Sequence, residues 1–186
     1  MLKSYSPSEM LNLWKTIMHL EPVRRECTIE RDDGIDLDAL LQLHIDQWYA
    51  HLLTTAQPEW LPIADVKASV ALSIDGSGVV TATVPPQCVR PVEWRLDGWA
   101  CSVTRFISPG DPEASVQHNE WTRAASQQPA IIDYGDHLQL CSGVAGTTPT
   151  LATARCVVRP ADGCYIFHQA AIATIPDWEK SRPALL

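Results

Sequence analysis

Motifs for covalent chemistry are what this chain of 186 residues most lacks. It has no phosphate-cradling glycine loop and no dinucleotide-binding fingerprint. The nearest approach to a nucleophile elbow, Asp75-Gly76-Ser77-Gly78, misses the leading glycine and lies between two alternating segments, where a hairpin turn belongs. None of the six cysteines (Cys27, Cys88, Cys101, Cys141, Cys156 and Cys164) forms a Cys-x-x-Cys pair. Met1-Leu2-Lys3-Ser4 runs straight into a polar capping segment, so no secretory leader is expected. Reduced thiols in a cytoplasmic setting are therefore the expectation. No apolar run approaches the ~20 residues of a membrane span. Cations are also scarce, with 14 Lys and Arg against 22 Asp and Glu and a net charge of -8. The local basic pair Arg24-Arg25 is followed at once by Glu26. That balance argues against a nucleic-acid surface, which needs clustered cations to neutralise phosphates.

Metal-ligand spacing is missing too. Asp32, Asp33, Asp36 and Asp38 crowd together but lack the register and distal Glu of a calcium loop. Helix capping and the helix dipole account for Asp36 and Asp38. His44 and His51 stand two helical turns apart rather than at the four-residue spacing of a metal-binding helix. His118, His137 and His168 are scattered through loop and strand segments. No metal, cofactor or catalytic residue is assigned. A scattered triad can be brought together only by folding, so a hydrolase stays among the alternatives.

What is present is an apolar share of 46%, 14 prolines and seven tryptophans. Ser6-Pro7-Ser8-Glu9 starts a helix with a capping box, and Met10, Leu13, Trp14, Ile17 and Met18 recur at helical spacing towards an end near Leu20. Asp36 caps a second helix, which carries the stripe Leu37, Leu40, Leu41, Ile45, Trp48, Tyr49 and Leu52 to about Thr55. Cys27 to Gly34 is read as a polar connection between them.

After Trp60-Leu61-Pro62 the pattern turns to short strands. Residues 69–74 and 79–84 flank the turn at Asp75, and residues 89–96 and 99–107 flank Asp97-Gly98, a two-residue hairpin signal. Pro91 within this first arm calls for a sheet edge or a bulge. Residues 113–126 read as irregular with a helical turn, and residues 130–133 and 137–142 form another hairpin about Tyr134-Gly135-Asp136. Residues 143–149 are a flexible loop. Residues 151–158 form a strand that Ala161-Asp162-Gly163 turns towards 164–167, and a short helix over 168–174 precedes a tail from Glu179. The expected fold is α+β: an N-terminal pair of amphipathic helices, then an antiparallel sheet or sandwich of about seven short strands. The expected parts are residues 1–60, 61–178 and a tail 179–186, in one compact domain.

The tryptophans are the candidates for recognition. A single tryptophan more often fills a core, but some of the set are expected at a subunit contact. The interface candidates are Trp94 and Trp99 around the Asp97-Gly98 turn, Arg90 beside them, and Trp14 and Trp48 on the helices. Exposed tryptophans on a sheet that stack on sugar rings give the alternative, a carbohydrate- or protein-binding module.

Three stretches carry a family resemblance. The helix from Asp38 to Leu53 runs on to Pro58-Glu59-Trp60-Leu61-Pro62. The segment Val79-Val80-Thr81-Ala82-Thr83-Val84-Pro85-Pro86 leads to Arg90 and on to Leu96-Asp97-Gly98-Trp99, with Val103 following. Gln128-Pro129-Ala130-Ile131-Ile132-Asp133 then precedes His137-Leu138-Gln139-Leu140. Over most of residues 38–158 the chain resembles phage and prophage virion proteins of gut bacteria, of the neck or head-tail connector kind. Pro86-Gln87-Cys88 stands where that group carries an acidic-aromatic pair. The resemblance implies a non-enzymatic assembly protein, a homo-oligomer or a partner of other virion proteins, found in the host cytoplasm and in the particle.

Overall fold

A computed structural model describes residues 1–19, 36–143 and 147–181. The first helix ends at Ile17, ahead of the expected Leu20; the connection from Cys27 to Gly34, residues 144–146 of the expected loop and the final residues of the tail lie outside the described residues. In chain order the elements are β1 (Leu2–Tyr5), α1 (Pro7–Ile17), α2 (Leu37–Thr55), β2 (Ile63–Asp65), β3 (Ala71–Ile74), β4 (Val80–Thr83), β5 (Cys88–Leu96), α3 (Pro112–Gln117), β6 (Ile131–Asp133), β7 (His137–Leu140), β8 (Leu151–Val158), β9 (Tyr165–His168) and α4 (Ile175–Ser181). Single 3₁₀ turns cover Pro58–Trp60, Lys67–Ser69 and Gln169–Thr174. The class is α+β with antiparallel sheets.

The chain forms two compact units. The first is Met1–Pro62 with Pro160–Leu186, and the second is Ile63–Arg159. The sequence placed one boundary near residue 60, as here, but assigned residues 160–178 to the β-rich part. They belong instead with the N-terminal helices.

In the first unit both helix starts form as their residues dictate. The Ser6 side chain accepts from the Glu9 N–H, and the Glu9 carboxylate accepts from the Ser6 N–H at 2.8 Å. Asp36 accepts from the N–H groups of Asp38 and Ala39. These bonds satisfy helix donors that have no partner within the helix. Trp48 of α2 lies at the centre of an aromatic cluster. It meets Trp14 edge-on at 5.7 Å and Phe167 edge-on at 5.3 Å, and Tyr5 stacks on Phe167 at 5.1 Å. Phe167 and Tyr5 arrive on a two-stranded sheet, with Leu2 opposite His168 and Tyr5 opposite Tyr165. So Ala161-Asp162-Gly163 does not turn β8 into a hairpin with β9. The partner of β9 is β1, which is too short and too polar to show an alternating pattern. The tail is shorter than expected, since α4 continues to Ser181.

The second unit holds two antiparallel sheets, of order β2-β8-β5 and β3-β4-β7-β6. With β1 and β9 there are nine strands among the described residues, against the seven or so expected; seven lie in this unit. Trp94, Leu96, Ala154 and Cys156 from one sheet share a buried cluster with Val80, Ala82, Leu138 and Leu140 from the other. Pro91 lies on β5, an edge strand, with register breaks beside it, so it costs no ladder hydrogen bond.

The expected hairpin at Asp97-Gly98 forms only in part. Trp99 N–H donates to Leu96 O at 3.2 Å, and of the two central residues only Gly98 has positive φ, at 87°. That is a type II turn, whose twist splays the arms, whereas type I′ would close them. Residues 99–107 consequently form no strand. They bridge instead: Val103 exchanges hydrogen bonds with Trp94 of β5, and Ile107 does so with β6 through Ile131 O and Asp133 N–H. This segment ties one edge of each sheet to the other.

Candidate functional site

The loop that follows α3 presents the most exposed tryptophan of the described residues. Trp121 is 92% exposed, whereas Trp14, Trp48, Trp94 and Trp99 are at most 2% exposed. Its backbone is nonetheless firmly held. Asn119 Oδ1 accepts from Trp121 N–H at 3.0 Å, and Asn119 O accepts from Arg123 N–H at 2.9 Å. Thr122 Oγ1 donates to Val116 O at 2.8 Å. Arg123 spans the base of the loop, with Nε donating to Gln117 O at 3.1 Å and Nη1 to Ser77 O at 2.7 Å. Gln117 closes the loop by accepting from Ala124 N–H at 2.8 Å. A short Asx turn thus holds an indole outward on a cross-linked platform. Thr122, Arg123 and half-exposed Val116 line an open groove of about 910 Å³, where Arg105 pairs with Glu113 at 3.1 Å.

The first unit carries a smaller cleft of about 360 Å³. Trp48, Leu52, Trp60 and Trp178 provide its apolar lining, and Thr55, Asp177 and Ser181 its polar atoms. His51 stacks on Trp178 with ring centres 4.8 Å apart, and Trp60 stacks on His168. Trp48 Nε1–H donates to Thr174 Oγ1 at 3.2 Å, so the indole at the back of the cleft is oriented. These side chains come from α2, the turn at Pro58–Trp60, and α4.

The interface candidates read from the sequence are not brought together. Trp14 and Trp48 fill the core of the first unit, and Trp94 and Trp99 that of the second. Each is at most 2% exposed, so they are core side chains in the folded chain, with Trp48 also forming the back of the aromatic cleft. The reason for Trp99 is specific: its Nε1–H is used internally, donating to Ser142 O at 3.0 Å. Arg90 is half-buried on β5, and burial lowers its pKa. The sequence passed over Trp121 as a site because residues 113–126 read as irregular. The signal was there in Asn119, an Asx-turn former two residues before the indole.

His44 Nδ1 lies 3.2 Å from Glu179, and its Nε2 is buried without a hydrogen-bond partner among the described residues. His137 Nδ1 lies 2.7 Å from Asp136, and that contact holds the Asp136 carboxyl below its ordinary value. Tyr165 hydroxyl donates to Asp46 at 2.5 Å and receives Gln42; burial and the Asp46 carboxylate push its pKa up. Among the described residues no cluster of three His, Cys, Asp or Glu side chains is placed to hold a metal ion. Cys88, Cys101, Cys141, Cys156 and Cys164 are free thiols. Its hydrogen bond with Cys156, then burial, push the Cys88 thiol up; burial raises Cys141 to about 11. No described helix is long and apolar enough to cross a membrane.

Comparison of the chain with protein-family models, with curated proteins and with solved structures found no match.

Proposed function

We propose that this protein is a non-enzymatic structural or assembly component that acts through contacts between folded subunits. The observation that carries the reading is Trp121, an indole almost wholly in solvent on a loop fixed by side-chain hydrogen bonds. A large apolar side chain held out on a rigid platform is the form of an interface anchor, because binding then costs little ordering. The resemblance over residues 38–158 supports the setting: a phage or prophage particle, at the neck or head-tail connector, with assembly in the host cytoplasm. Partners are further copies of the chain or other virion proteins. Light scattering on the purified chain, alone and with the products of neighbouring genes, tests this. Association with itself or with a portal, capsid or tail protein is the expected result. A strict monomer that binds none of them refutes it.

The aromatic cleft of the first unit favours a second reading, a carbohydrate-binding module in which Trp60 or Trp178 stacks on a sugar ring. Quenching of tryptophan fluorescence by oligosaccharides separates the two.

A further inference from the structure

We infer that Cys88 and Cys156 form an oxidation site, in which a peroxide converts the two thiols into a disulfide that joins β5 to β8. This chemistry is independent of the assembly reading above.

Strand pairing brings the two sulfurs to one place. β5 and β8 are antiparallel neighbours, with Cys88 opposite Val158 and Pro91 opposite Cys156. Side chains two apart on a strand share a face, so Cys156 lies on the face of Val158, and Cys88 meets them from across the ladder. All three pack into the core cluster of the second unit. A register break follows Cys88, and Arg159 N–H donates to Gln87 O at 2.9 Å, which holds the start of β5 against β8. The two thiols hydrogen-bond to each other between the strands. Cys101 and Cys141, in contrast, direct their S–H groups at the backbone carbonyls of Gln127 and Gln139.

Exposure gives the two thiols different parts. Cys88 is partly exposed at the start of an edge strand, and Cys156 is fully buried. When the pair loses one proton, the remaining S–H donates to the thiolate. That favours the first ionisation and opposes the second, which lowers Cys156 and raises Cys88. Exchange of the remaining proton across the bond puts the charge on either sulfur, and of the two only Cys88 meets solvent. The Cys88 thiolate attacks hydrogen peroxide and breaks its O–O bond. One oxygen stays on Cys88 as a sulfenic acid, and the other leaves as hydroxide and takes up a proton to become water. The Cys156 sulfur then attacks the Cys88 sulfur. An S–S bond forms, the S–O bond breaks, and the oxygen leaves as a second water with the Cys156 proton. In sum the thiols give up two electrons and two protons, and the peroxide becomes two waters. Burial shields Cys156 from direct oxidation and keeps it beside the sulfur that it must attack.

Peptide mass spectrometry of the full chain, oxidised with hydrogen peroxide at neutral pH and then alkylated without reductant, tests the site. Both thiols are expected to disappear from the alkylated pool and to reappear as one linked pair of peptides, dominant over every other pairing and reversed by dithiothreitol. The same treatment in concentrated urea is expected to lose that dominance, because the fold supplies the contact. Cys156→Ser is expected to stop at Cys88 sulfenic and sulfinic acid; Cys88 linked instead to another cysteine at wild-type yield overturns the pairing. Recovery of Cys88 and Cys156 as separately alkylated thiols, at a peroxide dose that oxidises exposed Cys101, overturns the inference. So does a yield of the linked pair no greater in the folded chain than in urea. The wild-type measurement decides even where the variant fails to fold, and each of these results leaves the assembly reading standing.

Discussion

Trp48→Ala tests whether this tryptophan holds the fold of the first unit. The Trp48 ring is 1% exposed and touches Trp14 and Phe167 edge-on, and its Nε1–H donates to Thr174. Truncation at such a site removes transfer energy and leaves a cavity that the neighbours fill only in part, for a loss of about 3–5 kcal/mol. Thr174 also loses its donor, but its hydroxyl still donates to Ala171 O at 2.7 Å, so the added cost stays small. Small domains are stable by only ~5–15 kcal/mol, so the variant should unfold at a much lower urea midpoint. Trp48→Phe keeps most of the ring and should lose roughly half as much, while Thr174→Val leaves a buried indole N–H unpaired at a cost of about 1–3 kcal/mol. Far-UV circular dichroism in urea measures all three. A loss below ~1 kcal/mol for Trp48→Ala refutes the buried-keystone reasoning, because no well-packed tryptophan is removed so cheaply.

Other outcomes follow from single positions. Gly143→Ala places a Cβ 2.6 Å from Gly78 O and 2.8 Å from Val80, so overpacking should cost about 1–3 kcal/mol in the same urea assay; an unchanged midpoint refutes the close approach. Asp36→Ala removes the α2 cap and should cost ~1 kcal/mol, whereas Leu37→Ala at an exposed position should cost far less; equal losses argue against the cap. Bonds from Ser77 and Val79 hold the Asp75 carboxyl below its ordinary 3.8, so its turn is favoured above that value and loses this support as pH falls through the lowered pKa; an NMR titration placing Asp75 at or above 3.8 sinks the argument. Among the described thiols, exposed Cys101 should alkylate well before buried Cys141 and Cys156, as peptide mass spectrometry reads directly; modification of Cys156 first refutes the burial pattern.

Sequence and structure agree where local chemistry is strong enough to act alone. Ser6-Pro7-Ser8-Glu9 and Asp36 satisfy their helix starts within a few residues, so both starts were legible. The strand β8 was legible end to end, and so were the hairpins about Asp75 and Gly135, because alternation and turn residues coincide there. The partner of β9 was not legible. Leu2–Tyr5 gains its strand character from pairing across more than 150 residues, as Leu2 opposite His168 shows, and no short window contains that information. The division of the chain was hidden for the same reason: Phe167 joins Trp48 and Tyr5 through tertiary contact, not through any change of composition near residue 160.

The tryptophans show why the candidate site was harder to read than the fold. Trp94 and Trp99 flank a turn and Trp121 sits in an irregular stretch, so sequence alone favours the first two as surface features. Burial is decided by what the turn does next. Because Asp97-Gly98 makes a type II turn, residues 99–107 leave the ladder and tie β5 to β6, which carries Trp99 and Val103 into the shared core. The loop after α3 is closed by hydrogen bonds between the side chains of Asn119, Gln117 and Arg123 and its backbone. A loop stabilised in that way has no use for an indole, and nothing in its hydrogen bonds requires Trp121 rather than serine or lysine. The side chain therefore contributes nothing to the hydrogen bonds that hold the loop. Trp14, Trp48, Trp94 and Trp99 are thus explained by the cores they fill, and Trp60 and Trp178 by the aromatic cleft they line, whereas Trp121 is the tryptophan that its own unit does not use.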